Sequence, residues 1–169
     1  MKRFLIAIGL VFLFSAFSDN KFVNRLCKGN EEVVFSFTVT NSNKQVCLCK
    51  DRDGKYLVYR FGANDKVELQ YPKKLDTSSW KAFILYGQKR FGGKANAGFG
   101  DYSLTFNNNN VKYIIFDSWS DEDGSKEIGI KVSINGNEKI LKGNYYTKKG
   151  TLLRLDDEND KLANTANGD

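Results

Sequence analysis

The chain has 169 residues, with 26 Lys and Arg against 20 Asp and Glu, a formal charge of +6, three Cys, one Pro and no His. Without His there is no His-activated Ser or Cys nucleophile and none of the His-containing zinc sites, so composition turns the expectation from chemistry towards binding. The length suits a single domain with a proper core.

Residues 1–18 read as an export signal. Lys2 and Arg3 precede an apolar run over residues 4–17 broken only by Gly9 and Ser15, and Ala16 and Ser18 stand at −3 and −1 of a cut before Asp19. The run is shorter than the ~20 residues a spanning helix needs, and no Cys follows the cut to carry a lipid. The expected product is periplasmic or extracellular, with no transmembrane segment after cleavage and part of the positive charge removed.

All three cysteines follow: Cys27, Cys47 and Cys49. Export permits disulfides. Cys47 and Cys49 fall on one face of a strand, roughly 6.6 Å apart with parallel side chains, and a bond between them would be strained. The expectation is Cys27 bonded to Cys49 or to Cys47, with the remaining thiol buried. A redox C-x-C centre lacks the electropositive, exposed setting such a thiol needs, and no spacing supports a metal site.

Beyond Cys27 the hydrophobic period is two. Residues 33–39 (Val-Val-Phe-Ser-Phe-Thr-Val) and 45–50 form strands about an Asn-Ser-Asn turn, and Asp53-Gly54 signals a hairpin into 56–61. Residues 66–71 alternate Val67, Leu69 and Tyr71 with Lys66, Glu68 and Gln70, a half-buried antiparallel strand ended by Pro72. Residues 80–86 read as a strand in preference to a short helical turn, and further strand signals lie at 102–106, 111–117, 127–134 and 138–141, with turns at Asn107 to Asn110 and Asn135-Gly136. The last residues, 156–169, are polar, acidic and aperiodic, and read as a disordered tail. The sum is a single all-β domain over 19–155, an antiparallel sandwich or barrel of about eight strands.

Three stretches carry a family likeness: Tyr59-Arg-Phe-Gly62 with Val67-Glu-Leu-Gln-Tyr-Pro72; Gly92-Gly-Lys-Ala-Asn-Ala-Gly98 leading into Tyr102 to Phe106; and Ile128-Gly-Ile-Lys-Val132. In order and spacing the chain resembles a family of small exported bacterial proteins of unknown function. The resemblance implies an exported β fold and brings no catalytic residues. Members often place a Cys where Phe37 stands, to pair with Cys49. Phe37 breaks that pattern here, and the comparison favours Cys27 as the partner.

The Gly-rich stretch is the candidate binding site, carried by Lys89, Arg90, Gly92, Gly93, Lys94, Asn96 and Gly98, whose amides and cations suit an anion. It lacks the order of a P-loop. The plain alternative is a loop whose glycines supply positive φ. From residue 73 to 100 six cations face Asp76 alone, with Trp80, Phe83, Tyr86, Phe91 and Phe99 interleaved. Export argues against nucleic acid and for a polyanionic glycan, an anionic membrane surface or an acidic protein.

Asp121, Glu122, Asp123 and Glu127 around Gly124 invite calcium but lack the EF-hand spacing, and a turn at Asp123-Gly124 explains them. Tyr59, Arg60 and Glu68 are polar groups of a possible pocket, with Arg60 and Glu68 expected as a cross-strand pair on a solvated face. The reading is thus an exported, non-catalytic β domain without cofactor or metal, binding an unknown protein or anionic ligand. Its rivals are an inhibitor of an extracellular hydrolase such as lysozyme, by fold analogy, and a His-independent enzyme built on paired carboxylates.

Overall fold

The computed structural model describes residues 26–63 and 65–164. The expected export segment, the expected cut before Asp19 and the final five residues of the expected tail lie outside the described residues.

Nine antiparallel strands make one curled sheet, a half-barrel: β1 Glu31–Val39, β2 Gln45–Asp51, β3 Leu57–Ala63, β4 Lys66–Tyr71, β5 Ile84–Arg90, β6 Phe99–Asn108, β7 Val111–Ser120, β8 Lys126–Ile134 and β9 Asn137–Gly150. Their order is β4-β3-β2-β1-β9-β8-β7-β6-β5. The all-β, single-domain expectation holds. The sheet is continuous, so of the two expected architectures it takes the barrel-like one, with nine strands.

The turns follow from local chemistry. Asn135 and Gly136, at φ 50° and 80°, make the tight link between β8 and β9 that requires two left-handed residues. The opening between β4 and β5 follows from topology. Every paired neighbour is antiparallel, β1 and β9 included, so alternation leaves β4 and β5 pointing the same way. A hairpin cannot join parallel strands. The chain therefore crosses between these two edges through residues 72–83, which contain a 3-10 turn at Thr77–Ala82. Trp80 of that turn is buried and donates from Nε1 to the Gly54 carbonyl at 3.1 Å. The stretch 80–86, expected as one strand, therefore divides into this turn and the start of β5.

Inside the sheet, Phe106 stacks between Tyr71 and Tyr113, at 4.6 and 4.8 Å between ring centroids, with Tyr59 at 4.9 Å and Phe83 edge-on at 5.6 Å. Offset and edge contacts of this kind add to the area each ring buries.

The expectation that the chain leaves the fold at Asp156 is corrected. A second 3-10 turn, Leu152–Lys161, brings Leu152, Leu155 and then Leu162 into the core. Ala163 forms a parallel bridge with Ile84, covering part of the β5 edge. Asp156 accepts from the Tyr102 hydroxyl at 2.8 Å and pairs with Lys89, Glu158 pairs with Lys50, and Lys81 donates to the Asp160 and Leu162 carbonyls. From Asp156 onward Leu162 is the one leucine, too little to give the segment a period. Its acids look like a solvated run until the fold brings lysines to them.

Candidate functional site

The Gly-rich stretch is the connection between β5 and β6. Lys89 and Arg90 end β5, residues 91–98 form the loop, and Phe99 opens β6. The loop is pinned. Gly93 N–H donates to the Asn96 carbonyl at 2.9 Å, Arg90 Nε donates to the Ala97 carbonyl at 3.1 Å, and Asp121 N–H donates to the Gly98 carbonyl at 2.9 Å.

The loop's glycines do not serve positive φ, as none of them appears among the left-handed residues. They serve close approach. A Cβ on Gly100 would stand 2.4 Å from Trp119 Nε1, and one on Gly98 would stand 2.6 Å from Asp121 Oδ2 and 3.2 Å from Trp119 Cζ3. The same carboxylate oxygen would be 3.5 Å from a Cβ on Gly92. An anion entering on that side meets a negative neighbour, so the amide cradle expected from the sequence is not what this side of the loop offers.

The candidate cations are divided by the fold. Lys89 reaches Asp156, whose hydrogen bond is the main cause holding the Lys89 pKa above the usual lysine value. Arg90 lies over the Phe99 ring at 5.2 Å. Lys94 and Asn96 are exposed on the loop, and Phe91 on the same loop is 71% exposed, with the Lys89 ammonium 5.8 Å from its ring centre. The loop is therefore a fixed protrusion with an apolar ring and a solvent-facing cation.

Tyr59 is a core residue, its phenol pushed far up by burial, with the nearby Tyr113 and Cys47 adding to the shift. Arg60 is fully buried, and its partner is Glu31 rather than the expected Glu68, which pairs with Lys44. The guanidinium is bidentate on Glu31, at 2.6 and 2.8 Å, and also donates to the Leu26 carbonyl at 3.0 Å and to Gln70 Oε1 at 2.9 Å. Burial pushes the Glu31 pKa up, but hydrogen bonds from Arg60, the Lys28 amide and Tyr56 outweigh it and hold the carboxyl below its ordinary value. Nothing local in the sequence shows that Glu31, 29 residues away, meets Arg60 on one face of the sheet, with Ser36 rather than Glu31 on the row of Arg60. Two strand pairings, β1 with β2 and β2 with β3, bring them together.

This ion pair shares the outer side of β2 and β3 with a second apolar cluster of Leu26, Cys47, Cys49, Tyr56 and Val58. Cys27 bonds Cys49 across a Cα separation of 5.7 Å, and Cys47 is a buried thiol. The disulfide thus fixes the segment before β1 over the outside of the sheet. Cys27, Glu31 and Cys49 are the only group of metal-type donors among the described residues. Both sulfurs are in the disulfide and the carboxylate is bound to Arg60, so this is a structural centre. The acidic run forms a turn: Gly124 has φ 69°, and Ser125 N–H donates to Asp123 Oδ1 at 2.9 Å.

Comparison of the chain with protein-family models, with curated proteins and with solved structures finds no match. Among the described residues no helix is long and apolar enough to cross a membrane.

Proposed function

We propose that this chain is an exported, non-catalytic binding domain that engages an acidic partner protein through the β5–β6 loop. The observation that carries the reading is Phe91, 71% exposed on a loop held by backbone hydrogen bonds that also carries the exposed Lys94. A fixed apolar ring loses little conformational entropy on docking, and a neighbouring cation steers an acidic surface towards it. The disulfide and the N-terminal sequence pattern support export. Two acids are engaged within the fold: Asp117 of β7 is bound by Lys148, Thr151 and the Leu152 amide, and Asp156 of the second 3-10 turn by Lys89 and Tyr102. Both act as fasteners of the C-terminal segment.

The test is chemical cross-linking of the tagged protein in its native envelope or medium, with Phe91→Asp/Lys94→Glu as the comparison. A partner recovered with the wild type and lost with the variant, at unchanged thermal midpoint, is the expected result. Equal recovery with both removes the loop from the binding surface.

A further inference from the structure

We infer that the slot where β8 and β9 part is a binding site for a carboxylate-bearing oligosaccharide. The two strands pair from Ile134 opposite Asn137 up to Gly129 opposite Lys142. Beyond that pair, β8 continues to Lys126 along β7, while β9 runs on to Gly150 along β1. A wedge opens between them inside an otherwise continuous sheet.

Two adjoining hollows occupy the wedge and share Lys126. One, of about 180 Å³, is lined by Phe116, Glu127 and Lys142 among others, and the other, of about 490 Å³, by Tyr145 and Tyr146. Just past the parting, β9 buckles. Between Ser36 opposite Lys149 and Thr38 opposite Asn144, four residues of β9 stand against one of β1. A bulge of this kind re-aims side chains next to a site.

The buckle is held rigidly and it presents one side chain. Tyr146 N–H donates to Asn144 Oδ1 at 3.1 Å, Thr147 Oγ1 donates to the Asn144 carbonyl at 2.7 Å, and Thr38 N–H donates to Thr147 Oγ1 at 2.8 Å. On this fixed backbone the Tyr146 ring is 99% exposed. Beside it the Tyr145 ring has the Lys126 ammonium at 5.6 Å and the Lys148 ammonium at 5.3 Å from its centre. Lys148 is bound to Asp117, whereas Lys126 and Lys142 form no ion pair with a described residue.

These groups select the ligand class. An exposed ring on a rigid support suits the flat apolar face of a sugar. Lys126 and Lys142 suit a carboxylate, which takes charge-assisted hydrogen bonds from ammonium groups. Glu127 in the same lining accepts hydrogen bonds and donates none, which suits a ligand that brings hydroxyl donors alongside its charge. An acidic sugar chain has all three features. The slot shares no residue with the β5–β6 loop, so the inference does not depend on the loop's role.

The experiment is isothermal titration of the intact exported protein with size-matched oligosaccharides of galacturonate and of hyaluronate, a neutral cello-oligosaccharide, and a poly-glutamate peptide. Saturable binding of at least one acidic sugar is expected, weakened about tenfold in Tyr146→Ala and made less salt-sensitive in Lys126→Gln and Lys142→Gln. Tyr146 is almost wholly exposed, so its truncation leaves the fold intact. The inference is overturned if neither acidic sugar binds, if the neutral sugar binds equally well, if Tyr146→Ala binds like the wild type, or if only the peptide occupies the slot.

Discussion

Replacing Cys27 and Cys49 together by Ala tests how the segment before β1 is held. The bond closes a ring with a sequence separation of 22. In the chain-entropy treatment, a ring of this length restrains the unfolded chain by about 3.4 kcal/mol at 25 °C. The segment has a second anchor: Leu26 is buried, and its carbonyl accepts from the buried Arg60. If that anchor holds without the disulfide, the loss stays near the entropic figure. If it fails, the loss also includes burial of Leu26 and exposes the Arg60–Glu31 pair to water. Urea unfolding at neutral pH, extrapolated linearly, gives the total. Leu26→Ala, made with and without the disulfide, separates the two cases. It should cost about 2–5 kcal/mol where the segment is docked and little where it has come away. A total loss under about 1 kcal/mol would refute the argument that this ring limits the unfolded state.

Arg60→Met leaves Glu31 buried without its main partner and should cost about 3–5 kcal/mol. Adding Glu31→Gln should recover part of that in the same urea assay, and no recovery would show that the pair is not the cause. Glu31 also sets an acid limit. Its folded pKa lies below the ordinary 4.5. Its contribution is therefore fully present above that value and is lost as pH falls through the folded one, so the urea midpoint should drop as the pH is taken below 4.5, less steeply in Glu31→Gln. Gly100→Ala places a methyl where Trp119 now lies. It should cost about 1–3 kcal/mol and change the tryptophan emission, and an unaltered spectrum would show that the ring does not cover this glycine. Mass analysis of the protein taken from its native compartment should find a mature chain beginning at Asp19, and an intact Met1 would remove the export signal.

Much of the fold is legible in the sequence because it rests on local rules. Alternation in 66–71 and 102–106, the Asn-Gly link at 135–136 and the aromatic runs fix strands, turns and the all-β class, since side chains two apart share a face and certain turns need left-handed residues. The spacing of Cys47 and Cys49 excludes their mutual bond by the same kind of argument. What depends on pairing between distant segments is not legible in this way. Glu31 becomes the partner of Arg60 only through two strand pairings, and Glu68, its near neighbour in sequence, goes to Lys44. Glycines that read as an anion loop or as suppliers of positive φ prove to be places where Trp119 and Asp121 come close. Acids that read as a loose tail become fasteners once Lys50 of β2 and Lys89 of β5 reach Glu158 and Asp156. The slot beside Tyr146 exists only because β9 changes neighbours from β8 to β1, and no spacing along a single strand records that change.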